Sequence, residues 1–254
     1  MKIIAAIDAS SAASAVMGVA RALADRLGVD LVALHARSDG RTAAPPRIAR
    51  IATRHGADLS IVADDVTATI IDAASDHDVA ATVIGARGDS SGKLPAGHTA
   101  LAVAVAAERP VVVTPPAATT TDVRRVLLPL EGSTGQTADE LLTRLLDHGA
   151  QLIPLHVFMP STVPRFWDQP HHAASAWSSG FASRYAPPGA EQLWLRSGDV
   201  ADSLLDVTRR AAIDLVALRW SQKLSGTHAP IVRAMLAQSP VPVLLLPVGV
   251  EPRP

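Results

Sequence analysis

The chain reads twice. KIIAAIDASSAAS (2–14) is answered by RVLLPLEGSTGQT (125–137), DLVALHARS (30–38) by QLIPLHVFM (151–159), DDVTATIIDAA (64–74) by GDVADSLLDVT (198–208), and ERPVVVTP (108–115) by SPVPVLLLP (239–247). Self-similarity of this length means that one supersecondary unit has been used twice, and it fixes the architecture before any single motif is weighed. Glu131 stands 123 positions after Asp8, Asp199 134 after Asp65 and Pro242 132 after Pro110, so the second copy carries about eleven extra residues in its middle and loses two later. The seam PPAATTTD (115–122) has linker composition. The division expected is a first domain over 1–117, a linker over 118–122 and a second domain over 123–254 with an insert at 158–190.

Each copy alternates strand and helix. KIIAAID is a short apolar run ending at Asp8, as a strand buried on both faces requires. Val16, Val19, Ala20, Leu23 and Leu27 then recur at helical spacing over 11–27, and Gly28 stands where a helix C′ residue belongs. Strands follow at 30–36, 58–63, 80–85 and 110–114, with a short amphipathic segment around 45–55 and helices at 66–76 and 99–107. Alternation of this kind with crossovers of this length implies an α/β fold, a parallel sheet with helices packed on it.

Composition narrows the function classes. A formal net charge of −1 gives no electrostatic reason to expect nucleic acid or an anionic membrane as partner. The absence of cysteine excludes disulfides, thiolate metal sites and cysteine nucleophiles. MKIIAAIDAS lacks the long apolar core and cleavage region of a signal peptide, and no apolar run reaches the roughly 18 residues of a membrane span. A soluble, cytoplasmic protein is the expectation. No Ser-His-Asp grouping and no carboxylate cluster is readable, so no catalytic residue is assigned.

One loop in the first copy carries chemistry. After its fourth strand the chain reads VIGARGDSSGKLPAGHTALAVA (83–104), with Gly85, Gly88 and Gly97 around a polar stretch and a helix beginning near Thr99. Glycines bring bare backbone close to a ligand, and loop N–H groups beside a helix N-terminus bind anions. Arg87 and Lys93 add local cations, and Thr99 can cap the helix or reach a phosphate. The plain alternative is a flexible surface loop. It is not a Walker loop, since Leu94 follows Gly92-Lys93 where Ser or Thr is required. Asp8, at the carboxyl end of the first strand, would face the same crevice if strands one and four are neighbours; its alternative is to cap the first helix, a role open to Ser10 and Ser11 as well.

The Ile-Asp-x-Ser end of strand one, the Leu-His-Ala end of strand two, the Gly-x-x-Gly loop before a late helix and the closing Pro-Val-Val-Val together resemble the universal stress protein family, twice over nearly the whole chain. The resemblance implies two tandem open parallel five-stranded sheets of order 3-2-1-4-5 with helices on both faces, paired with each other through the last strand, with a homodimer possible. It implies a non-enzymatic stress-response or regulatory protein binding ATP or AMP, with Mg accompanying ATP and no other metal. Carried onto this chain, the nucleotide site comprises Ala6, Ile7, Asp8 and Ser10 on strand one and its turn, Ala36 after strand two, and Gly85, Arg87, Gly88, Gly97, His98 and Thr99 in the loop. In the family pattern Gly-x2-Gly-x9-Gly-Ser/Thr the third glycine falls on His98, with Gly97 one place early. His98 would either donate to phosphates or obstruct them.

The second copy departs further. Aligned through Pro110 and Pro242, Gly85 becomes Ala217, Gly88 becomes Trp220, Thr99 becomes Ile231, Arg219 stands opposite Arg87, and Glu131 replaces Asp8. Nucleotide binding is therefore expected in the first domain only. All eight aromatic residues lie between 158 and 220, with Phe166, Trp167, Trp177, Phe181 and Tyr185 in the insert. Spacing of i, i+4 predicts a helix near 171–184 that forms a satellite core; the other reading is a ligand or partner surface, with a metal at Asp168, His171 and His172. His35 and His156, in register, are expected to make structural hydrogen bonds. The competing functions are a ligand-free interaction module and a weak ATP hydrolase.

Overall fold

The computed structural model describes residues 1–87, 96–130, 139–158, 172–223 and 229–248, with the backbone alone over 172–178. In the N-terminal half the order is β1 (Lys2–Ala6), α1 (Ala13–Leu27), β2 (Asp30–Ala36), α2 (Pro46–Arg54), β3 (Asp58–Val62), α3 (Val66–Ser75), β4 (Val79–Gly85), α4 (His98–Ala106) and β5 (Val111–Thr114). The C-terminal half runs β6 (Arg125–Pro129), α5 (Glu140–Asp147), β7 (Gln151–Phe158), α6 (His172–Tyr185), β8 (Trp194–Ser197), α7 (Val200–Arg210), β9 (Leu215–Trp220), α8 (Ala229–Gln238) and β10 (Val243–Pro247).

Local chemistry explains the boundaries. Gly28 ends α1 in the left-handed region at φ 63°, its N–H directed to the carbonyls of Ala24 and Asp25. Asp65 caps α3 by accepting the Ala68 N–H at 2.8 Å, and Asp199 caps α7 by accepting the Asp202 N–H at 3.0 Å. The two aspartates occupy corresponding places in the repeat.

Within each half the sheet has the order expected, with β1 between β2 and β4 and β6 between β7 and β9. The expectation of two sheets is corrected: there is one sheet of ten strands, in the order β3-β2-β1-β4-β5-β10-β9-β6-β7-β8. The two halves meet through β5 and β10, antiparallel, with Val113, Val112 and Val111 opposite Val243, Leu244 and Leu245. A pseudo-twofold axis therefore passes between Val112 and Leu244, which are equivalent residues of the two copies. The reason is edge chemistry. VVVT and VLLLP are short, apolar last strands, and each would otherwise present unpaired N–H and C=O groups beside buried side chains.

Alternation along the strands sends side chains to two cores. Ile3, Ala5 and Ile7 join α1, α2 and α5 on one face, while Ile4 and Ala6 join α3, α4, α7 and α8 on the other. Both cores run through both halves. The seam is packed too: Val123 is fully buried, and Arg26 of α1 donates to Asp122 at 2.5 Å and to the His148 carbonyl at 3.0 Å. Among the described residues no helix is long and apolar enough to cross a membrane.

Candidate functional site

The carboxyl ends of β1 and β4 open a cleft. Such a position, where neighbouring crossovers leave in opposite directions, is where open α/β sheets bind ligands. Here it holds a cavity of about 540 Å³, lined among others by Ala6, Ile7, Asp8, Ser10, Ala36, Gly85, Arg87, Gly97, His98 and Thr99. The sequence-predicted residues that the structure describes thus converge on one space. Gly88, Lys93 and Glu131 lie outside the described residues, as do Phe166, Trp167, Asp168 and His171.

Strand one delivers the first wall. The Ile7 N–H donates to the Leu34 carbonyl at 2.9 Å, which prolongs β1 as far as the crevice. The Ile7 carbonyl accepts from Nδ1 of His35 at 2.9 Å, and His35 is buried. His156 does the same in the other half, its Nδ1 donating to the Leu130 carbonyl at 3.0 Å. These are the structural hydrogen bonds expected of the two histidines. Asp8 does not cap α1. The N-cap is Ala12, without a side-chain hydrogen bond, and the Asp8 carboxylate instead accepts the Ser10 N–H at 2.9 Å. This turn holds an exposed carboxylate at the cleft. Ser10 is 4% exposed, and its buried hydroxyl has no hydrogen-bond partner among the described residues. A buried hydroxyl without a partner is costly, so one on a cavity wall calls for a group from outside.

The second wall is the start of α4. Thr99 does not cap this helix: Gly97 is the N-cap, and no side-chain hydrogen bond is made there. The Gly97 N–H closes the intervening loop on the Ala86 carbonyl at 2.7 Å, and the Ala86 N–H donates to the Thr114 carbonyl at 2.8 Å. First-turn N–H groups without a side-chain cap, at the positive end of the helix, suit an anion. Gly97 has φ −64°, so its role does not depend on glycine's freedom. His98 is the first residue of α4, is exposed, and lines the cavity. Sequence reasoning missed the apolar floor, Val66 and Ile70 of α3 with Leu34 and Ile84. Its only signal is Asp65, whose cap sets where α3 begins.

The corresponding cleft in the C-terminal half holds about 380 Å³. Strand register corrects the alignment of the copies there. Thr82 donates its N–H to the Pro110 carbonyl and Val216 to that of Pro242, both at 3.0 Å. Thr82 thus corresponds to Val216, Gly85 to Arg219 and Ala86 to Trp220. The two-residue difference falls after β9, so Ala217 is not the counterpart of Gly85 and Arg219 is not that of Arg87. Thr99 still corresponds to Ile231, since Ala100, Val103 and Ala104 are buried in α4 as Val232, Met235 and Leu236 are in α8. The aromatic insert packs here. Phe181 of α6 lies with its ring 4.4 Å from that of His156 and 4.6 Å from that of Tyr185.

No protein-family model matches the chain, and no curated protein does. Solved structures do. A universal stress protein from Archaeoglobus fulgidus DSM 4304 superposes with a TM-score of 0.65 at 17% identity, over 98% of both chains. The chain has the fold of a universal stress protein. A functionally unknown protein from Pseudomonas aeruginosa PAO1 has it as well, with a TM-score of 0.60 at 13% identity over 97% of this chain and 92% of that one. At these identities the likeness is one of fold. Among the described residues, no group of three or more His, Asp or Glu side chains is placed to hold a metal ion.

Proposed function

We propose that the protein is a tandem universal stress protein, a non-enzymatic cytoplasmic regulator that binds one adenine nucleotide, ATP or AMP, in the N-terminal half only. The observation that carries this is the pairing, across one cavity of about 540 Å³, of an uncapped helix N-terminus with the buried Ser10 hydroxyl, which has no partner among the described residues. Phosphate oxygens suit the α4 N–H groups, with Arg87 beside them. The apolar floor of Leu34, Val66 and Ile70 suits a purine ring, and Ala36 offers backbone to its edge. The Asp8 carboxylate stands where a ribose hydroxyl, or Mg arriving with ATP, would meet it. In the other half Arg219 and Trp220 occupy the places of Gly85 and Ala86, where close approach of phosphate needs small residues.

Calorimetric titration of nucleotide-stripped protein with AMP and with ATP tests the reading. One molecule per chain is expected, with binding weakened by Asp8→Ala. Two equivalent sites, or none, would overturn it. ATP turnover lost on Asp8→Ala would move the protein to the hydrolases.

A further inference from the structure

The second crevice has changed character without closing. Apart from Gly85 to Arg219, five replacements run one way: Ala6 to Pro129, Ala36 to Val157, Ala86 to Trp220, Thr99 to Ile231 and Ala100 to Val232. Each adds apolar volume to the wall. Interiors that lose a ligand are free to fill, and close packing is the rule. Yet a cleft of about 380 Å³ persists, within the size range of ligand sites. The insert adds to the same place. It brings the C-terminal end of α6 to the cleft, where Tyr185 lines the cavity and Phe181 packs on His156.

We infer that the crevice of the C-terminal half is a binding site for a small, uncharged aromatic molecule, held between Trp220, Tyr185 and the aliphatic wall of Val157, Val200 and Ile231. The largely apolar lining favours an uncharged ligand. Arg219 is the cation on this wall, and its charge already acts on the Asp139 carboxylate at the start of α5. A second anion would be placed near that carboxylate, in a largely apolar site. Polar handles are few: besides His156 and Arg219, the Tyr185 phenol and the Ser221 hydroxyl suit one hydrogen-bonding group on the ligand. The inference is independent of nucleotide binding in the other half.

The test uses the full chain and N-phenyl-1-naphthylamine, an uncharged fluorescent aromatic amine. Titration with saturating AMP present should show saturable binding of one probe per chain, unchanged from that without AMP. Val157→Trp fills the cleft and should weaken binding by about tenfold or more. Ile231→Asp puts a charge on the apolar wall at a half-exposed position and should weaken it similarly, with the fold intact by circular dichroism; this variant decides the matter if Val157→Trp does not fold. Absence of saturable binding, displacement of the probe by AMP, or unchanged affinity in the folded variants would overturn the assignment. Failure of AMP to bind in calorimetry would overturn the nucleotide reading alone.

Discussion

The two crevices share a frame and differ in their linings. The frame is held residue for residue. His35 and His156 lock the end of the first strand of each half, Asp65 and Asp199 cap the same helix, and Gly28 and Gly149 turn the chain at positive φ after the first. The aliphatic floor is kept, with Leu155 and Val200 answering Leu34 and Val66, while other places in the lining have changed from alanine, glycine and threonine to proline, valine, arginine, tryptophan and isoleucine. The difference teaches where specificity lives. A fold of this kind is set by caps, turns and buried faces, while its ligand chemistry rests on a few side chains at the strand ends, free to change without disturbing the sheet.

The most severe way to break the comparison is to give the first crevice a residue of the second. Gly85→Arg copies Arg219. A Cβ at Gly85 would meet the Arg87 carbonyl and the Val16 side chain at 3.5 Å, ordinary contacts, so the backbone accepts a side chain. The arginine then takes up the ligand's space. AMP affinity should fall by about 100-fold or more, roughly 2.7 kcal/mol, with the thermal midpoint nearly unchanged. Calorimetry checks this, and an AMP affinity within about threefold of the parent would show that the crevice does not read small residues there. Gly85→Ala should have a much weaker effect.

A gentler comparison sets one histidine against the other. His35 is 8% exposed, whereas His156 is half-buried and leans on Phe181. His35→Ala removes a buried hydrogen bond and leaves a void, at a cost of about 2–3 kcal/mol. His156→Ala should cost about 1 kcal/mol, because solvent reaches the carbonyl that it leaves. Urea unfolding of both variants measures the difference. Equal losses would mean that the aromatic insert buries its histidine as thoroughly as the sheet buries His35.

Much of this is legible in the sequence, for physical reasons. The strands of the first half alternate or run apolar between polar stops, and Gly28 and Asp65 carry local turn and cap chemistry, so their elements fall within a residue or two of expectation. The strand order comes from the family resemblance. Fusion of the two sheets comes with it as a pairing through the last strand, but its extent depends on long-range register that no local pattern encodes. The register of β9 misleads for a related reason. Counting back from Pro242 places the deletion before an apolar run that looks alike at each shift, and only the hydrogen bonds of Val216 and Pro242 fix where it falls. Asp8 reads as a residue of the crevice because of its place at a strand end; the turn that holds it, through the Ser10 N–H, is local geometry that the sequence leaves open.

The smallest expected effect concerns a carboxylate found only beside the second crevice. Asp139 caps α5, accepting the Leu141 and Leu142 N–H groups at 3.0 and 3.2 Å. Burial raises its pKa above the ordinary carboxylate value, against the lowering effect of those N–H groups and of Arg219. A carboxyl raised in the folded state keeps its proton after the unfolded chain has lost one. Stability from this group is therefore greatest below the unfolded value, declines as pH rises toward the folded one, and is level beyond it. Asp139→Asn keeps a side-chain oxygen for the cap and removes the titration. Its stability relative to the parent should rise with pH across the window that begins near the ordinary value of 3.8 and then flatten, as read from urea midpoints at matched ionic strength. A relative stability that falls with pH would mean that attraction between Asp139 and Arg219 outweighs burial. The arginine of the second crevice would then be committed more tightly to the protein itself, which would strengthen the case that its ligand carries no charge.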